Sequence, residues 1–99
     1  MSKSIRGEFT ARLFDAILQL ESREECYRFF KDIATVGEIK ALGQRLEVAK
    51  MLTRGKTYEE IADKTGVSSA TISRVKKALY YGEDGYKLIL ERMGYDLEG

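Results

Sequence analysis

The sequence predicts an all-α chain of six helices built around a helix-turn-helix. Three observations carry this. Apolar residues recur at steps of three and four through Phe9, Leu13, Ile17 and Leu20, and again through Ile39, Leu42, Leu46, Ala49 and Leu52, the period of one helix face. Capping pairs three residues apart, Ser22 with Glu25, Thr35 with Glu38 and Thr57 with Glu60, mark three helix starts. The stretch Thr57 to Lys77, TYEEIADKTGVSSATISRVKK, fits two short helices joined by a tight turn, and no segment reads as a strand.

Taken in order, residues 1–7 (MSKSIRG) have no apolar period and read as a loose arm, either a tail without function or one whose Lys3 and Arg6 touch DNA phosphates. A first helix runs from Glu8 to about Glu21. Phe14 and Leu18 give it a second apolar edge, and so wide a stripe implies contact with more than one neighbour. A second helix follows the Ser22 cap and is rich in aromatics at Tyr27, Phe29 and Phe30. The third spans about Val36 to Thr53. Gly43 interrupts it, read either as a tolerated glycine or as a close helix crossing. Gly55 ends it, flanked by Arg54 and Lys56, cations favourable near a helix C-terminus. A last helix, about Gly85 to Met93, has Asp84 as its N-cap and stops at Gly94.

The helix-turn-helix spans about residues 57–80. Its first helix is expected from Tyr58 to Lys64, with Gly66 leaving it at a positive φ that glycine tolerates at little cost. Ser68 caps the second helix, expected from Ser69 to Tyr80. Ile61, Ala62, Val67, Ile72 and Val75 fall on the inner faces. Ser69, Ala70, Thr71, Ser73, Arg74, Lys76 and Lys77 are left outside, a small, hydroxylated and basic set that suits a DNA major groove.

Composition narrows the rest. The 99 residues contain no His, Pro or Trp and one cysteine, Cys26. That argues against a disulfide framework and against structural zinc, and fits a reducing cytoplasm. Cys26 has no histidine to activate it and reads as a small core or interface residue. No apolar run is long enough for a membrane span. Net charge is +1, but residues 50–77 carry seven basic and three acidic side chains, whereas residues 78–99 carry two and five. The basic excess thus lies where phosphates would be met. Nothing arranges a nucleophile with a base, or a glycine loop for phosphate, so the chain reads as no enzyme.

The arrangement resembles the Trp repressor family over about Phe9 to Met93. The likeness is sharpest in Leu42-Gly43-Gln44-Arg45, Leu52-Thr53-Arg54-Gly55 and Ala70-Thr71-Ile72-Ser73-Arg74. Within the family it is similar to the small Trp-repressor-related proteins of the YerC/YecD type. The resemblance implies a six-helix Trp-repressor-like fold over residues 1–99, read as one DNA-binding domain. It implies an intertwined homodimer, with dimerisation helices at about 8–53 and 84–93, that places recognition helices on a palindromic operator in double-stranded DNA. Carried over by position, Ser68, Ser69, Ala70 and Ser73 face base edges. Thr71, Lys76 and Lys77 are added as exposed phosphate-binding candidates.

The family's two corepressor-binding arginines match Arg45 and Arg74, which makes these the candidate effector site. The glycine that the family places after the second arginine is here Val75, and a family serine further on is Ala78. Half of the tryptophan pocket is therefore missing. The expectation is a regulator without a tryptophan corepressor or other cofactor, in which Val75→Gly would leave the fold largely intact. The residues name no other effector. The competing reading is a protein-interaction module that docks its helix-turn-helix on another regulator.

Overall fold

In a computed structural model that describes residues 4–95, six α-helices and no strand are found among the described residues. They form two compact units, one up to Val36 and one from Gly37 onward. The first unit holds α1 (Glu8–Ile17) and α2 (Arg23–Ile33); the second holds α3 (Val36–Thr53), α4 (Tyr58–Thr65), α5 (Ser69–Tyr81) and α6 (Gly85–Arg92). Lys3, a candidate phosphate contact, lies outside the described residues.

In the first unit, α1 stops four residues before the expected end. Its last turn tightens, with Gln19 N–H donating to Ala16 O and Leu20 N–H to Ile17 O, both at 3.0 Å. The apolar period continues through this turn, which is why Leu18 and Leu20 looked helical. Ser22 caps α2 by accepting from Glu25 N–H at 3.1 Å. The reciprocal half of the box is displaced: Glu25 Oε1 accepts from Glu21 N–H at 2.8 Å instead of from the cap residue. No residue of α1 or α2 is buried. Phe9 is 81% exposed, Leu18 78% and Tyr27 59%, and Cys26 is half-buried.

The core lies in the second unit. Val48, Ala49 and Leu52 of α3, Ile61 of α4, Ile72, Val75 and Leu79 of α5 and Leu90 of α6 form one buried cluster. Ala49, Leu52, Ile61, Ile72 and Val75 come from the inward faces predicted by helical spacing; Val48, Leu79 and Leu90 join them, while Leu42 of the predicted α3 face is exposed. A Cβ built on Gly43 would meet nothing within 4 Å, so the close crossing considered for that residue is not made among the described residues of its unit.

The ends of α5 and α6 are fixed by backbone geometry. A Cβ at Gly82 would collide with the Ala78 carbonyl, so only glycine lets the chain leave α5 on this path. Asp84 takes the N-cap position of α6 in the left-handed region (φ 63°) and its side chain makes no capping hydrogen bond, unlike the cap expected of it. Its carboxylate lies 3.9 Å from Lys87 Nζ instead. After α6, Tyr95 N–H donates to Leu90 O. The Tyr95 ring lies 4.5 Å from Lys50 Nζ and 5.5 Å from the Arg54 guanidinium carbon, tying the end of α6 to the end of α3.

Candidate nucleic-acid interface

α4 begins with a complete capping box. Thr57 Oγ1 accepts from Glu60 N–H at 3.1 Å, and Glu60 Oε1 accepts from Thr57 N–H at 2.9 Å. The backbone and hydroxyl hydrogen bonds from Thr57, with a lesser contribution from Lys56, hold the Glu60 carboxyl below its ordinary value. The box satisfies two donors that a helix start leaves free. α4 ends one residue later than expected, and Gly66 follows it with φ 77° in the left-handed conformation.

The turn itself is closed by side chains. Thr65 Oγ1 donates to Ile61 O at 2.8 Å and accepts from Val67 N–H at 3.3 Å. Gln44 Nε2 on α3 donates to Thr65 O at 3.0 Å. Gln44 is a site-supporting residue for which the sequence suggested no role, since the acceptor that gives it one lies 21 positions away. Ser68 then caps α5 by accepting from Thr71 N–H at 3.2 Å. Ile61, Ile72 and Val75 are buried between the two helices and the rest of the core, with Ala62 and Val67 packed against them.

Packing one face of α5 leaves the other bare. Ser68, Ser69, Ala70, Ser73, Arg74, Lys76 and Lys77 are all exposed. Thr71 is the exception among the predicted contacts. It is half-buried, and its Oγ1 accepts from the Ser68 hydroxyl at 3.2 Å, so it serves the cap. α5 has Arg74, Lys76 and Lys77 and no acidic residue. Neither Arg74 nor Lys77 makes an ion pair among the described residues, whereas Lys50 is 3.8 Å from Glu47. The basic excess of residues 50–77 therefore divides: Lys50 and Arg54 lie against Tyr95, and Arg74 and Lys77 of α5 stay open to an anion.

Tyr58, at the first position of α4, was not singled out by its sequence. It packs half-buried against the core. Its hydroxyl lies 3.3 Å from the Ser73 hydroxyl, and its ring lies 5.9 Å from Lys76 Nζ.

Two short helices joined by a left-handed glycine, the second carrying an uncovered basic face, define a helix-turn-helix protein. The chain belongs to the Trp repressor family, whose model matches residues 9–94. It is 54% identical over 89 residues to the uncharacterised protein YerC of Bacillus subtilis strain 168, covering 90% of this chain and 86% of that protein. It is similar to the crystal structure of a candidate Trp repressor from Staphylococcus aureus, with 55% identity, a TM-score of 0.90 and coverage of 94% of this chain and 93% of the other. It is also similar to a TrpR-like protein from Eubacterium eligens ATCC 27750, with 51% identity, a TM-score of 0.89 and coverage of 91% and 93%.

Of the residues carried over as an effector site, the two arginines come from different helices of the second unit. Arg45 on α3 and Arg74 on α5 are both exposed, and neither makes an ion pair among the described residues. Val75 is 3% exposed and belongs to the core cluster. Its side chain occupies packed space, so Val75→Gly is expected to remove core packing at this position. Among the described residues no group of three or more His, Cys, Asp or Glu could hold a metal ion, and no helix is long and apolar enough to cross a membrane.

Proposed function

We propose that this protein is a sequence-specific DNA-binding transcriptional regulator, a repressor that acts in the cytoplasm as a homodimer on a palindromic operator. The observation that carries the reading is the outer face of α5: small and hydroxylated side chains at its start, three cations further along, no acid, and no covering element. Small side chains let a helix enter the major groove, and unpaired cations meet the flanking phosphates. The uncovered apolar residues of α1 and α2 support the dimer, because two helices without one buried residue leave their stripes for another surface. A twofold dimer would present two recognition helices about one helical turn of DNA apart. The reading includes no tryptophan corepressor, since the place of the pocket's glycine is taken by a core valine.

Selection of bound sequences from a random duplex pool, followed by affinity measurements across salt concentrations, tests this. The expected result is a palindromic consensus and an affinity that falls linearly with salt on logarithmic axes. Absence of any selected sequence and of any salt dependence would overturn it in favour of a protein-docking module.

A further inference from the structure

We infer that Tyr58, one helix away from the recognition helix, is a positioning residue that couples base readout to phosphate contact. The inference rests on the DNA-binding reading. Two contacts place it. The Tyr58 hydroxyl is 3.3 Å from Ser73 Oγ, and the ring face lies 5.9 Å from Lys76 Nζ. Ser73 and Lys76 are three residues apart on α5, so they lie on one side of it, and both are exposed. Tyr58 is held from behind, because its ring packs against the core cluster.

A serine hydroxyl alone rotates freely and can donate to or accept from any base edge, so it carries little sequence information. A fixed phenol beside it changes this. When Tyr58 donates to Ser73, the serine proton is free to be given to a base acceptor. When Ser73 donates to Tyr58, the serine presents only lone pairs. Either hydroxyl can be the donor, so the phenol leaves the direction open; what it restricts is the position of the Ser73 oxygen and one of its hydrogen bonds, leaving the remainder for a base edge. The same ring draws the Lys76 ammonium by cation–π attraction and limits where its charge meets the phosphate backbone. The 3.3 Å separation is long for two hydroxyls, so the bond restricts Ser73 without removing it from a DNA partner.

The test uses the full chain and the selected wild-type consensus. Tyr58→Phe keeps the ring and its packing and removes the hydroxyl. Expected is a shift of about two- to tenfold in preference among operator variants, with the salt slope unchanged. Ser73→Ala should give the same shift, and the double variant should show no more than either single one. Lys76→Gln should lower the salt slope by about one ion, and Tyr58→Leu, checked for folding by its melt, should lower it in the same direction. If the wild-type chain selects a consensus and Tyr58→Phe retains the same preference, or if its effect adds in full to that of Ser73→Ala, the positioning role is overturned while the DNA-binding reading stands. If the wild-type chain selects no DNA, both fall.

Discussion

Replacing Val75 by glycine separates a structural role from a ligand-gating one. Val75 is 3% exposed among Val48, Ala49, Leu52, Ile61, Ile72, Leu79 and Leu90. Full burial of a valine side chain is worth about 1.5–3 kcal/mol, and the cavity left by partial relaxation adds to the loss. Glycine in place of valine within a helix costs roughly a further few tenths. The total is about 3 kcal/mol. For a chain of 99 residues, each kcal/mol moves Tm by about 4–8 °C, so Val75→Gly is expected to melt some 12–24 °C lower.

The assay is a thermal melt of wild type and variant at one protein concentration, each with and without about 1 mM L-tryptophan, since a ligand that binds the folded state raises Tm by mass action. The wild-type Tm should not move with tryptophan, and any recovery by tryptophan should appear only in the glycine variant. Two results would refute the reasoning. A Val75→Gly loss below about 1 kcal/mol would mean that the valine is not a core residue. Saturable tryptophan binding to the wild type below about 100 μM, accompanied by tighter operator binding, would mean that a branched side chain at this position does not close the slot.

Other outcomes follow from the same geometry. Lys77→Ala should weaken binding to all sequences and lower the salt slope by about one ion, whereas Ser69→Ala should mainly alter preference among sequences; no effect of either at low salt would mean that α5 is not the recognition helix. Sedimentation at micromolar concentration should give a dimer of the 11.3 kDa chain, and a folded monomer would remove the homodimer. Thr57→Ala should cost about 1 kcal/mol through the lost cap, read from urea unfolding. The Glu60 carboxyl is held below its ordinary value of 4.5. Its contribution is therefore complete above that pH and lost as the pH falls through the lower folded value. Glu60→Gln should reduce stability at pH 7 and flatten the acid limb below about pH 4.5.

What the sequence made legible was local. The Thr57–Glu60 box, the left-handed Gly66 and the Ser68 cap each depend on side chains within four positions, and each stands where the spacing placed it. The inner faces of α4 and α5 were legible because a 3.6-residue period assigns a face without knowledge of the partner helix. Two departures at caps were also local. The Glu25 carboxylate chose the N–H of Glu21 over that of Ser22, and the Asp84 carboxylate lies near Lys87 and makes no capping hydrogen bond. A residue type is suited to a cap position before geometry decides which neighbouring donor it reaches.

Contacts over longer separations were not legible, and they divide the site differently from its sequence. Ser73 and Lys76 look equivalent to Ser69 and Lys77 in a list of exposed polar residues. Tyr58, fifteen positions before Ser73, makes them unequal, because it reaches the first pair. The same holds for the basic residues: Lys50 and Arg54 count toward the local charge excess but meet the ring of Tyr95, while Arg74 and Lys77 stay open. Charge counted along a chain thus overstates the cations available to a phosphate. The first unit presents the opposite case. The stripe of α1 was read as too wide for one neighbour, and α1 and α2 contain no buried residue. A stripe encodes that a surface is to be covered, and the identity of the cover resides in the covering surface. When that surface is a second copy of the chain, the stripe is its own complement, which is the arrangement that a twofold interface requires.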